Sequence, residues 1–183
     1  MRTVRVALGE RSYSILIGRG LFARLGRMAK SEFSGGRVLV VTDRKVAPIY
    51  GARAAASLER AGLETETFAV PAGERSKSLR QLSRIYDRLA ALGFERGCGI
   101  VSLGGGVVGD LAGYAAATYL RGIPFIQAPT SLLAQVDSAV GGKTGIDHRA
   151  GKNLIGAFFQ PRAVVCDVAA LRTLPPREFR AGL

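Results

Sequence analysis

The sequence predicts an α/β protein of the Rossmann-like, doubly wound type, with a mainly parallel sheet and a β-hairpin at its N-terminus. Two observations carry that prediction. Arg37-Val38-Leu39-Val40-Val41-Thr42-Asp43 and Gly99-Ile100-Val101-Ser102-Leu103 are short continuous apolar runs, the pattern of strands covered on both faces. Helical stretches alternate with them, and alternation of strand and helix builds a parallel layer with helices against it.

The elements follow in order. Residues 3–8 and 13–17 are β-branched and apolar and flank Gly9-Glu10-Arg11-Ser12, which reads as a hairpin turn. A short helical stretch then runs through Leu21, Phe22, Leu25 and Met28. After the strand at 37–43 comes an alanine-rich helix to Ala61, ended by Gly62. A strand over about 64–70 leads into the loop Pro71-Ala72-Gly73-Glu74-Arg75-Ser76-Lys77. From Leu79 to Leu92 an amphipathic helix is predicted. Leu79, Leu82, Tyr86 and Leu89 lie on its inner face, and Arg80, Arg84 and Arg88 on a solvated one. The strand at 99–103 gives way to a helix reaching about Leu120. No repeat, low-complexity tract or linker interrupts the chain, so all 183 residues read as one domain.

Composition narrows the function. The formal charge is +12, from 26 basic and 14 acidic side chains. The only adjacent basic pair is Arg44-Lys45, and no basic tail or aromatic–basic ladder occurs, so nucleic acid is not the expected partner. No apolar run approaches the roughly 18 residues of a membrane span, and the first residues lack a signal peptide's apolar block, so the expectation is a cytoplasmic protein with no membrane partner. Two cysteines beside apolar stretches, Cys98 and Cys166, read as buried, inert thiols. With the single His148 they form no zinc site, and no metal ligands are assigned. Only five basic residues are lysines, and Lys77, Lys143 and Lys152 all fall in the motifs below.

Gly104-Gly105-Gly106-Val107-Val108-Gly109-Asp110 satisfies G-x-G-x-x-G between a strand and a helix. Residues without a Cβ let a diphosphate approach the main chain, and the free N–H groups of a helix start favour an anion. A tight turn with close packing and no ligand is the alternative. Farther along, Gly109, Ala112, Gly113, Ala116 and Ala117 form a small-residue face for close packing against a neighbour. The motif departs from the usual dinucleotide pattern. It follows a late strand, and no acid lies between Leu111 and Val136 to hold a ribose. Asp43, at the end of an earlier strand, and Glu74 are candidates for that task; for Asp43, capping the next segment is the competing role. A second constellation contains Asp137, Gly141-Gly142-Lys143-Thr144-Gly145 and Gly151-Lys152-Asn153. It is not a nucleotide-triphosphate P-loop, because the first glycine of that pattern would fall at Asp137 and no strand leads in. Lysines and an amide in glycine-rich loops suit a small phosphorylated or polyhydroxy ligand.

Several stretches together resemble the 3-dehydroquinate synthase family. They are Pro71 to Lys77, Gly104 to Gly113, Pro129-Thr130-Ser131-Leu132-Leu133-Ala134-Gln135-Val136-Asp137, Val140 to Gly145, Gly151-Lys152-Asn153-Leu154-Ile155-Gly156-Ala157-Phe158 and Leu171-Arg172-Thr173-Leu174-Pro175. They cover the chain from about residue 40 to its end. Glycerol dehydrogenases and iron-type alcohol dehydrogenases share a related glycine stretch.

The resemblance implies a role for each matched residue. Asp43, Glu74 and Lys77 would hold the adenosine side of NAD and Gly105, Gly106 and Val107 its diphosphate, with Ala72, Gly73, Val108 and Gly109 as further cofactor-binding positions. Asp110, Thr130 and Ser131 would line the rest of the cofactor pocket, Ser131 standing where the family usually has a second threonine. Asp137, Lys143, Lys152 and Asn153 would sit between nicotinamide and substrate, with Arg121 a candidate for the substrate phosphate. Leu171, Thr173 and Leu174 would close over the cofactor, with Glu178 nearby. The activity implied is the NAD- and divalent-metal-dependent lyase of the shikimate pathway. That enzyme converts a seven-carbon keto-acid sugar phosphate to a carbocycle with release of phosphate. The family's zinc or cobalt ligands, a glutamate and two histidines, have no counterpart in these residues. The chain is therefore expected to supply the NAD-binding half of a homodimeric enzyme and to be inactive alone. A related sugar-phosphate cyclase or a polyol dehydrogenase is the alternative.

Overall fold

Two antiparallel strands open the chain in the computed structural model, which describes residues 1–183. They are β1 (Arg2–Val6) and β2 (Tyr13–Gly18), joined through a single 3-10 turn at Gly9–Arg11. A 3-10 turn at Leu21–Arg24 and helix α1 (Leu25–Glu32) follow, then β3 (Arg37–Asp43), α2 (Ala52–Arg60) and β4 (Glu64–Val70). Next come α3 (Leu79–Ala91), β5 (Gly99–Gly104), α4 (Gly106–Thr118) and β6 (Phe125–Pro129). The chain ends with β7 (Lys143–His148), β8 (Gly151–Phe158), β9 (Ala163–Asp167) and α5 (Pro176–Arg180). Seven strands form one sheet in the order β1-β2-β9-β6-β5-β3-β4, in which only the β1 pairing is antiparallel. The expected fold class is the one observed.

Alternation along the buried strands feeds two cores. Val38 and Val40 face one way, with Leu21, Phe22, Leu25 and Leu58 from the α1–α2 side. Leu39 and Val41 face the other, with Leu82, Ile85, Leu89, Leu111 and Ala112 from α3 and α4. Each of the larger of these side chains (Val, Leu, Ile, Phe), fully removed from water, contributes about 1.5–3 kcal/mol. Asp167 ties the layers at the end of β9. Buried to 2 % exposure, it accepts from the N–H groups of Gly20 (2.9 Å), Phe22 (3.2 Å) and Ala169 (3.1 Å).

Four expectations change. Leu79 is not on the inner face of α3; it is 59 % exposed, and Ile85 takes the inward place. Arg84 and Arg88 are not simply solvated, since Arg84 lies over the Phe68 ring and Arg88 pairs with Glu66 on β4. The helix after the glycine motif stops at Thr118, where Leu120 (φ 50°) and Arg121 (φ 64°) turn left-handed. Residues 143–145 and 151–153 are not in loops but in the antiparallel pair β7–β8, with a turn left only at Gly141 and Gly142. Their glycines hid the strand pattern because they serve backbone approach: Gly145 faces Gly156, and a Cβ on Gly156 would lie 2.2 Å from the Thr144 carbonyl oxygen. β6 and β9, five residues each, have no assignment from periodicity. No helix is long and apolar enough to cross a membrane.

Candidate active site

The carboxyl ends of the parallel strands open onto a cavity of about 560 Å³. In an open α/β sheet this is where ligands gather. Helix α4 points its N-terminus at it. The first helical bond runs from Gly109 N–H to the Gly105 carbonyl (3.0 Å), and no side chain caps the helix, so the amides of Gly106, Val107 and Val108 have no helical partner. Such amides and the positive end of the helix form an anion-binding surface.

The motif glycines divide their tasks. A Cβ on Gly104 would lie 2.6 Å from Val108 Cγ2, and one on Gly109 2.7 Å from Gln127 Oε1, so both serve packing of α4 on the sheet. A Cβ on Gly106 would lie 2.9 Å from Ser138 Oγ, a buried hydroxyl without a hydrogen-bond partner. Gly105 alone faces open space: its hypothetical Cβ meets nothing nearer than Ser131 Oγ at 3.5 Å, and both residues line the cavity. The main chain at Gly105 is uncovered, and a side chain there would project into the cavity. The small-residue face also finds its neighbour, which is not a helix. At Gly113 a Cβ would be 2.6 Å from Thr144 on β7 and 3.2 Å from Phe125 on β6.

A second cavity, about 490 Å³, gathers Asp110, Asp137, Lys143 and Asn153. Its charges come in pairs. Lys77, with only 4 % of its side chain exposed, donates to Asp110 Oδ2 (2.7 Å) and to Asn153 Oδ1. Lys143 donates to Asp137 Oδ1 (2.6 Å), and the exposed Lys152 meets Glu74 at 3.3 Å. Burial outweighs the Lys77 ammonium and holds the Asp110 carboxyl above its ordinary range. Asp147 fixes the hairpin against this cluster. Its Oδ1 accepts from Asn153 N–H (2.9 Å), and its own N–H donates to the Lys77 carbonyl (2.8 Å). Asn153 is left-handed (φ 57°), a conformation that asparagine tolerates better than most residues.

The structure thus brings Asp43, Ala72, Gly73, Gly105, Val107, Val108, Thr130, Ser131, Thr173 and Leu174 to the first cavity, together with Glu178. Asp110, Asp137, Lys143 and Asn153 reach the second, and Lys77, expected beside the adenosine, is instead bonded to Asp110 and Asn153. The capping role weighed for Asp43 is seen, since Oδ1 accepts from the N–H groups of Lys45 (2.8 Å) and Val46 (3.0 Å), and the residue also lines the cavity. Glu74, Lys77, Gly106, Gly109, Lys152 and Leu171 line neither. Arg121 is elsewhere, in a separate cavity of about 600 Å³ with Arg11, Arg96 and Arg162. The cause is the length of α4: the site lies at its N-terminus, and 13 residues at about 1.5 Å each put Arg121 roughly 20 Å away.

Sequence reasoning missed Val46, Ile49 and Tyr50, which line the first cavity, and Asp147. The first three follow Asp43 directly, so their place after a strand's carboxyl end was the available signal. No three His, Cys, Asp or Glu side chains gather as a metal site, so these residues do not by themselves fit the divalent metal. Both cysteines are free and buried, and burial pushes the Cys166 thiol up to about 11.

A sequence profile described as 3-dehydroquinate synthase N-terminal matches residues 67–181. The chain is 52 % identical to the 3-dehydroquinate synthase of Desulforamulus reducens and 55 % identical to that of Pelobacter propionicus. Each alignment covers all of this chain and 51 % of the relative, so the chain spans about half the length of the curated relatives it matches. A crystal structure of 2-deoxy-scyllo-inosose synthase complexed with carbaglucose-6-phosphate, NAD+ and Co2+ superposes with a TM-score of 0.90 at 30 % identity, over 99 % of this chain and 49 % of that one. A 2-epi-5-epi-valiolone synthase from Streptomyces hygroscopicus subsp. jinggangensis, with NAD+ and Zn2+ bound, gives 0.85 at 31 % identity over 97 % and 49 %. Glycerol dehydrogenase from Schizosaccharomyces pombe, at 21 % identity, TM-score 0.71 and coverage of 90 % and 39 %, shares the fold.

Proposed function

The chain belongs to the 3-dehydroquinate synthase N-terminal family, and from that premise we propose that it is the NAD-binding half of a 3-dehydroquinate synthase. The observation that carries the reading is the uncovered Gly105 cradle, with the free amides of α4, next to a cavity of paired lysines and acids. The reaction proposed for the whole enzyme is release of phosphate from a seven-carbon keto-acid sugar phosphate to give 3-dehydroquinate, in the shikimate pathway.

Each group has a task in that reading. The amides of Val107 and Val108, which line the first cavity, would hold the diphosphate, with Gly105 leaving room for it. Asp43 Oδ2, the oxygen not occupied in capping, accepts from the adenosine ribose. Val46, Ile49, Thr173 and Leu174, which line the same cavity, would offer their surface to the base. Asp110, Lys77 and Asn153 orient the nicotinamide end, where the bound cofactor supplies a reversible two-electron acceptor. Lys143 and Lys152 answer the substrate's carboxylate and phosphate charge. Lys143 pairs with Asp137 and Lys152 with Glu74, so substrate binding would exchange one anion for another rather than meet bare cations.

Zinc or cobalt is assigned to the part of the relatives' length outside these residues, and no step is derived through it. The chain alone is proposed to be inactive, and the whole enzyme to be a cytoplasmic homodimer without nucleic-acid partners; sedimentation and cell fractionation check assembly and location. The activity is tested with the whole enzyme stripped of NAD. Phosphate release should return on adding NAD, with no net NADH. Net NADH formation would point to a polyol dehydrogenase, and turnover of another sugar phosphate to a different cyclase.

A further inference from the structure

One wall of the cofactor cavity is held by a single side chain. Past β9 the chain turns through a 3-10 segment, Val168–Thr173, into α5, and Thr173, Leu174 and Pro175 face the cavity. Among hydrogen bonds and ion pairs, only Tyr50 connects residues 171–183 to any segment before Val168. The Tyr50 hydroxyl lies 2.7 Å from Thr173 Oγ1 and 3.2 Å from the Ala170 carbonyl oxygen, and Thr173 Oγ1 is 3.0 Å from that same carbonyl. Two hydroxyl protons thus serve three oxygens in a closed triangle. The other end of Tyr50 is fixed: its ring meets the buried Phe22 ring edge-on at 5.5 Å, within the core shared by Leu25 and Leu58. A rigid two-torsion side chain therefore runs from the core to the cavity mouth.

We propose that Tyr50 is a positioning residue for the cofactor, whose hydroxyl sets the Thr173–Leu174 wall in place before the cofactor arrives. The proposal rests on the cofactor reading above and adds the residue that preorganises that site. A wall already ordered removes part of the ordering cost from the binding step. Without the hydroxyl the segment retains its apolar contacts, including Gly182 against Leu132 and Leu133, but loses its one directional tie.

The test is calorimetric titration of the 183-residue chain with NAD+, for wild type, Tyr50→Phe, Thr173→Val and the double variant, with amide hydrogen exchange on the ligand-free proteins. Loss of one net hydrogen bond should weaken binding about fivefold in each single variant. The double variant should be little weaker than either, far short of the roughly 25-fold that independent effects would give. Amides at 171–174 should exchange about fivefold faster in Tyr50→Phe, with those of β3 and β5 unchanged. Unaltered affinity in Tyr50→Phe would overturn the proposal, as would faster exchange spread through β3 and β5, the mark of general destabilisation. Absence of NAD+ binding by wild type would remove the cofactor reading and the proposal together. Wild-type binding with an unaffected Tyr50→Phe would remove the proposal alone.

Discussion

Replacing Gly105 by valine should abolish NAD binding while leaving the fold intact. Gly105 has φ −76° and ψ −172°, extended values that any residue adopts, so no backbone strain enters. Its hypothetical Cβ has 3.5 Å to Ser131 Oγ, an ordinary contact. The cost to folding is then the loss of a tolerated N-cap glycine, about 1 kcal/mol. A melting point lowered by about 2–4 °C is expected for a chain of this size. Binding is another matter. A diphosphate oxygen must come within about 2.9 Å of the main-chain amides, and branched methyl groups over the cradle prevent it. Loss of two charge-assisted hydrogen bonds, at about 1.5–3 kcal/mol each, gives about 100-fold to 10,000-fold in Kd. Gly105→Ala should fall between wild type and valine. Gly104→Ala is the opposite control: its Cβ would sit 2.6 Å from Val108 Cγ2, so it should lose about 1–3 kcal/mol of stability. Calorimetry and thermal melts read both quantities. A Gly105→Val chain that unfolds near wild type and binds NAD+ with a similar Kd would refute the cradle.

Three further outcomes are expected. Because burial raises the folded-state carboxyl of Asp110 above its ordinary 3.8, its neutral form favours folding. That contribution is complete below the unfolded value and is lost as pH rises through the folded one. Urea titrations from pH 3 upward should therefore show wild type losing stability relative to Asp110→Asn; the opposite slope would mean that the Lys77 pair outweighs burial. Gly113→Ala should cost about 1–3 kcal/mol by forcing α4 away from Thr144 and Phe125, and a stability equal to wild type in chemical denaturation would contradict that contact. Neither Cys98 nor Cys166 should react with an aromatic disulfide reagent in the folded chain, while both react in denaturant; prompt native labelling would contradict their burial.

Local pattern made some features readable and geometry hid others. β3 and β5 announced themselves because strands buried on both faces lose alternation and become unbroken apolar runs. The start of α4 was legible because a strand, three glycines and an apolar helix occur in that order. Which glycine faces the cavity was not legible. G-x-G-x-x-G marks Gly104, Gly106 and Gly109, yet Val108, Ser138 and Gln127 crowd those three and leave Gly105 open. The β7–β8 hairpin was obscured for a related reason, since glycine is a turn signal in sequence but here admits one backbone against another. Tyr50 and Leu79 carry no local mark: the same residue type serves core, surface or cavity wall according to what packs beside it.

By itself, the sequence determined the alternation of strand and helix, the helix start with free amides and the set of lysines, acids and amide available to the site. These depend on neighbours a few residues away, where hydrophobic periodicity and backbone freedom act. Tertiary structure alone decided the partnerships. Lys77 reaches Asn153 across 76 positions, Tyr50 reaches Thr173 across 123, and Arg121 is carried to the far end of α4. Such distances along the chain close only when the sheet takes its strand order, because side-chain hydrogen bonds and ion pairs act over a few ångströms and carry no sequence period of their own.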